Sequence, residues 1–176
     1  ILLNAGLGAI MAAIFGAVHD QITYSIGPSY FHHFKFDQFK SFDFNLPPRA
    51  FASIIGILAS WWVGLIISWI LARVAHSRHS MEQAIRRSRQ ALVLTFGTTI
   101  LCGIIAYFVA INSHTESNLD FWQHMIPGIQ SSNAAEFRVV GYIHNAGYLG
   151  AIIGCIIAIF YATKQKKVVV ESDSNE

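Results

Sequence analysis

Four long apolar blocks constrain this chain more than any other feature. They run over residues 1–26, 50–74, 91–111 and 139–163. A helix needs about 20 mostly apolar residues to cross the hydrocarbon layer. Four segments qualify, so the expected fold is an all-α integral membrane protein, a bundle of four transmembrane helices. Charge supports this: 12% of residues are charged, against about 25% in an ordinary soluble domain. One domain over residues 1–163 follows, with a polar, disordered cytoplasmic tail over 164–176.

Gly27-Pro28 supplies the stop for the first block, Gly for the turn and Pro because it cannot continue a helix. That block reads as a retained span, since neither a basic leader nor a clear A-x-A site accompanies it. Orientation follows from Lys and Arg, which favour cytoplasmic connections. The second connection carries Arg73, Arg78, Arg86, Arg87 and Arg89 against Glu82 alone, and the tail opens with Lys164, Lys166 and Lys167. The other connections hold only Lys35, Lys40, Arg49 and Arg138. Both termini are therefore expected in the cytoplasm of a plasma or bacterial inner membrane. The Arg cluster reads as a topology signal and an anionic-lipid contact. A net charge of +2 gives no reason to invoke nucleic acid.

Ser80-Met81-Glu82-Gln83 fits a capping box, which extends the third helix into water from about residue 80. Asn133-Ala134-Ala135-Glu136 reads as the capped start of the fourth. Small residues allow close helix approach in lipid. The second span repeats them through Ala52, Gly56, Ser60, Gly64, Ser68 and Ala72. Gly8, Ala12 and Gly16 do the same in the first span, and Ala146, Gly150 and Gly154 in the fourth. These stripes point to a tight bundle, to self-association, or to other membrane subunits as neighbours. Trp61 and Trp62 are expected to pack at mid-span, and Trp69, Trp122 and Tyr161 to lie in interfacial belts. Cys102 and Cys155 read as small buried residues rather than a disulfide.

Two polar stretches interrupt the apolar blocks. His19-Asp20 is followed by Tyr24, and His144-Asn145 by Tyr148. Asp20 and Tyr24 share a helical face, as do His144 and Tyr148. His19 lies about 10 Å below the end of its span and His144 about 8 Å inside its own, at 1.5 Å per residue. The spans run oppositely, so both stretches should sit at one level in the outer half. An Asp at the centre of a span costs about 2.5–3.5 kcal/mol on insertion scales and persists with a partner or a wet cavity. A neutral His, a protonated His, or Arg49 or Arg138 reaching down could supply that partner.

The connection between the first two spans is rich in Phe, from Phe31 to Phe44, and keeps neither a helical nor a strand period. It suits the headgroup region or a lid over the bundle mouth, with His32 or His33 turned inward as secondary ligand candidates. His114 and His124 read as surface residues, and His76 and His79 belong to the opposite face.

The favoured function is an intramembrane site for a metal, a proton or a small ligand, built from His19, Asp20, Tyr24, His144, Asn145 and Tyr148. Its metal ligands would be His19, Asp20 and His144. Imidazole with carboxylate suits zinc, copper or iron. An alternative is electron transfer by a b-type haem with His19 and His144 as axial ligands. A third is an accessory or scaffold subunit without a cofactor. Ser25 and Thr23 lie nearby, but no oxyanion hole accompanies them, and the sequence names no reaction.

Overall fold

A computed structural model gives the fold for residues 1–113, 121, 124 and 131–164. Four helices organise it: α1 (Leu2–Ile26), α2 (Pro48–His76), α3 (Met81–Asn112) and α4 (Ser131–Thr163). All four are long and apolar enough to cross a membrane, and no strand occurs among the described residues. The expectations for the tail beyond residue 164, for His114 and for Trp122 fall outside the described residues.

The helices associate as two tight pairs, α1 with α2 and α3 with α4, while α1 barely touches α3 or α4. The small-residue stripes account for this. A Cβ on Gly16 would overlap the Gly56 carbonyl, and one on Gly56 would overlap Gly16, so the two backbones touch directly. Further along, Ser60 Oγ donates to the Ala12 carbonyl (2.7 Å) and Ser68 Oγ to that of Asn4 (2.6 Å). In the other pair, Gly150 and Gly154 pack on α3 beside Cys102 and Thr95. Van der Waals contact and a few interhelical hydrogen bonds are what lipid leaves available for helix association.

Several helix ends depart from the expected chemistry. Ser80 does occupy the N-cap of α3, but its hydroxyl makes no cap bond; its carbonyl starts the helix by accepting from Ala84 N–H. Helix α4 already runs at Ser131, so Asn133 to Glu136 lie inside it rather than at its start. Glu136 instead accepts from Ser29 N–H (3.2 Å), tying the first connection to α4. Gly27 ends α1 in an extended conformation (φ −155°). Its small size matters there, because a Cβ would meet the Glu136 carbonyl oxygen at 2.7 Å.

Arg138 is fully buried and donates to the Ala110 carbonyl (2.9 Å) and to that of Ser113 at the end of α3. Those carbonyls lack intrahelical partners, so a guanidinium there closes the helix. At the other end, Arg87 donates to the Tyr161 carbonyl (3.1 Å) and lies over its ring, while Tyr161 Oη donates to Gln90 (2.7 Å). Trp61 and Trp62 do not pack internally: 44% and 49% exposed, they face outward from α2. Glycine and serine occupy the seam with α1, and the bulky indoles are left for the opposite side.

Candidate metal centre

The Phe-rich connection folds back on the bundle as short helical turns. Pro28–Tyr30 packs on α4, and Phe31–Lys35 forms a π-helical turn. Tyr30, Phe31 and Lys35 face inward and are buried. A lid is therefore present, but the inward polar groups are not those expected: His33 is exposed, and the largely exposed His32 lies 3.0 Å from Tyr24 Oη. Tyr24, Phe31, Phe36 and Phe137 pack into one aromatic cluster under this lid.

Beneath it, His19, Asp20 and His144 converge. Their potential ligand atoms all lie within 4.8 Å of one another. The two imidazoles meet edge to face with centroids 4.9 Å apart, so the opposed spans do bring both to one level. Asp20 is 4% exposed and His144 5%. Neither Arg49 nor Arg138 reaches the carboxylate. Arg49 donates to Gln21 and Ser25 and lies over the Tyr24 ring, whereas Arg138 closes α3. The ion-pair partner of Asp20 is His144, with Nε2 3.3 Å from Oδ1.

His144 is held on three sides. Its ring stacks on Tyr30 (4.8 Å), meets His19 edgewise, and Nδ1 lies 3.0 Å from the Val140 carbonyl. A carbonyl can only accept, so Nδ1 carries the proton. Nε2 is the atom that faces Asp20. Without a cation there, a nitrogen lone pair and a carboxylate oxygen would oppose each other in a dry environment. The contact is stable only with a proton or a metal ion between them. Fixing a histidine tautomer through a bond at the other nitrogen is how metal-ligating imidazoles are usually oriented. Burial pushes the Tyr30 phenol above its ordinary range, with the charges of Tyr148 and Asp20 adding to the effect. Tyr30 therefore covers the site as a neutral ring.

The remaining predicted residues lie around the centre rather than in it. Tyr24 turns to the lid. Asn145 is exposed and lines a separate, more open depression with Cys102 and Ala106, since one helical step of about 100° carries it away from His144. Tyr148, 56% exposed, lines the rim of a second, more enclosed cavity.

That cavity, about 610 Å³, lies between the two helix pairs and has His19, Asp20 and His144 in its wall. Lys35 lines it too, a residue whose position in a loop gave no hint of burial. The only sequence signal for it was a cation set directly between two Phe residues. No protein-family model, curated protein or solved structure matches this chain.

Proposed function

We propose that this protein is a membrane protein whose His19, Asp20 and His144 hold a cation, a transition metal such as zinc, copper or iron, near the outer face of the bilayer. The observation that carries the reading is the His144–Asp20 contact, in which a committed Nδ1–H leaves Nε2 facing a carboxylate. Its length favours a metal over a shared proton. A charge-assisted N–H···O bond is usually about 2.7–2.9 Å, shorter than the 3.3 Å here. Ligand atoms about 2.0–2.1 Å from a tetrahedral metal lie about 3.3 Å apart, a spacing the His144–Asp20 pair has, while the trio, spread over up to 4.8 Å, would close further around an ion. Two imidazoles and one carboxylate also match the three-ligand set of an open zinc site. The outward orientation rests on the arginines at the far end of the bundle.

A haem finds no support, because the rings touch and a macrocycle between them would need them apart. The scaffold reading has one observation in its favour: the His144–Asp20 pair bridges α1 and α4, which otherwise hardly meet. Metal content separates the two. Purified protein loaded with Zn²⁺, Cu²⁺ or Fe²⁺ and freed of excess is expected to retain about one ion per chain, lost in Asp20→Asn and His144→Ala. Equal retention by parent and variants would overturn the metal site and leave the clasp. Visible spectra taken after Co²⁺ loading would report the ligand set directly.

A further inference from the structure

The cavity beside the metal centre has a chemistry of its own. It follows α1 from Ala12 to Ile26, about 21 Å at 1.5 Å per residue. Its volume falls within the range of small-molecule sites, roughly 300–1,000 Å³. Besides the phenols of Tyr107 and Tyr148, its wall contains Ser and Thr hydroxyls, but helix carbonyls take these up: Ser60 donates to Ala12 and Gly56, Thr23 to His19, Thr95 to Ala91, and Thr99 to Thr95. The long wall is thus effectively apolar. Polar groups gather at one end, where His19, Asp20, His144 and Lys35 line it. The side between α1 and α3 is closed at Phe15 and Phe96, whose rings meet, and is open beyond them toward the polar end. Val18 and Ile22 from α1, and Ile100 and Ile104 from α3, are about half exposed along that edge and also line the cavity. In a bilayer this mouth faces acyl chains.

The charges at the polar end do not cancel. Lys35 is 4% exposed and has no carboxylate within ion-pair distance among the described residues; its amine lies over the Phe39 ring instead. Asp20 is already engaged by His144. A proton or a metal ion held between those two neutralises or exceeds the one negative charge. The Lys35 charge is then left over, in a place where an unpaired charge is costly.

We infer that the cavity binds a single-chain anionic amphiphile, a long-chain carboxylate that enters sideways from the bilayer between α1 and α3 and pairs its head group with Lys35. This rests on the cation reading for its charge balance. The apolar wall takes the chain, and the leftover positive charge selects an anion over a neutral alcohol. Binding of the carboxylate and of the cation is then coupled, each favouring the other by the same factor.

Palmitate titrated into the detergent-purified protein, followed by native mass spectrometry with hexadecanol and acetate as comparisons, tests this. One palmitate per chain is expected, bound at least tenfold more tightly than hexadecanol and not displaced by millimolar acetate. Lys35→Met should weaken palmitate about tenfold and abolish the preference over hexadecanol. Thr99→Trp, which fills the tail region away from the metal ligands, should block palmitate while metal content stays at the parent level. Equal palmitate binding in Lys35→Met and parent would overturn the inference, as would displacement by acetate. Metal content measured on the same samples separates the two readings. Metal retained without palmitate sinks the amphiphile and spares the metal centre; palmitate bound without metal does the reverse.

Discussion

Removing one member of the Asp20–His144 pair should have very different consequences depending on which member goes. His144→Ala leaves a carboxylate 4% exposed with no partner at ion-pair distance among the described residues. Breaking a buried pair in this way costs about 3–5 kcal/mol. Asp20→Asn keeps the shape of the side chain and supplies an N–H. His144 already donates through Nδ1 to Val140, so Nε2 is free to accept from the new amide. One neutral interhelical bond replaces the charged contact, and such bonds average about 0.6 kcal/mol in bilayers, with a maximum near 1.7. Asp20→Asn is therefore expected to change stability by about 1 kcal/mol or less, and His144→Ala to cost several times that.

The double variant sharpens the test. Asp20→Asn combined with His144→Ala no longer buries a charge, so it should be more stable than His144→Ala alone by about 2 kcal/mol. Unfolding in mixed micelles by added dodecyl sulfate, followed by far-UV dichroism and by the emission of Trp61, Trp62 and Trp69, gives the three free energies. Additive losses would refute the assigned tautomer and the charged state of Asp20. So would a cost for Asp20→Asn equal to that of His144→Ala. The metal assay run on the same three proteins should be negative throughout, so that Asp20→Asn separates loss of cation binding from loss of fold.

Three further outcomes follow from the packing. Gly56→Leu must push α1 and α2 apart and should lower stability by about 1–3 kcal/mol, the usual cost of overpacking, whereas Gly97→Ala, with nothing within 4 Å of its added carbon, should leave the melting temperature unchanged or raise it. Arg138→Ala removes two charge-assisted bonds from the end of α3, each worth about 1.5–3 kcal/mol, and should show as faster amide exchange over residues 110–113. Phe31→Ala opens the lid above His144, and the rate of imidazole acylation by diethyl pyrocarbonate at that residue should rise by at least tenfold; an unchanged rate would mean that the ring does not shield it.

What the sequence revealed and what it concealed divide along physical lines. The spans were legible because hydrocarbon thickness sets helix length, and counting residues from Ile26 and Val139 was enough to bring His19 and His144 to one level. The small-residue stripes of α1, α2 and α4 were legible because only small residues let backbones touch, but which helix each stripe faces was not. Asn145 was misplaced because adjacency in sequence is not adjacency on a helix; Tyr148 and Tyr24 share the correct faces, but one reaches the cavity rim and the other the lid. Lys35, Tyr30 and Phe31 were hidden because their burial depends on how a connection folds back, and no periodicity records that. The role of Glu136 depended on the same fold-back, since its partner Ser29 lies in that connection.

The unequal packing of the four helices also explains why a polar centre and an apolar cavity occur side by side. Glycine and serine draw α1 onto α2, and glycine draws α4 onto α3, while nothing comparable joins one pair to the other. Between the pairs lie the lid, the contact of α2 with α3 and α4, the Asn4–Ser88 hydrogen bond and Phe15–Phe96 contact of α1 with α3, and the Asp20–His144 bridge. The space left on the α1–α3 side is the cavity, and the bridge closes its polar end. Under the proposed loading, a cation tightens the bridge and draws α1 toward α4. The width of the mouth then depends on whether the site is filled. A carboxylate at Lys35 offsets the charge that the cation adds, so the two ligands stabilise the same arrangement of the helix pairs. The small-residue seams give each pair its rigidity, and at the polar end the approach of α1 to α4 is governed by three side chains.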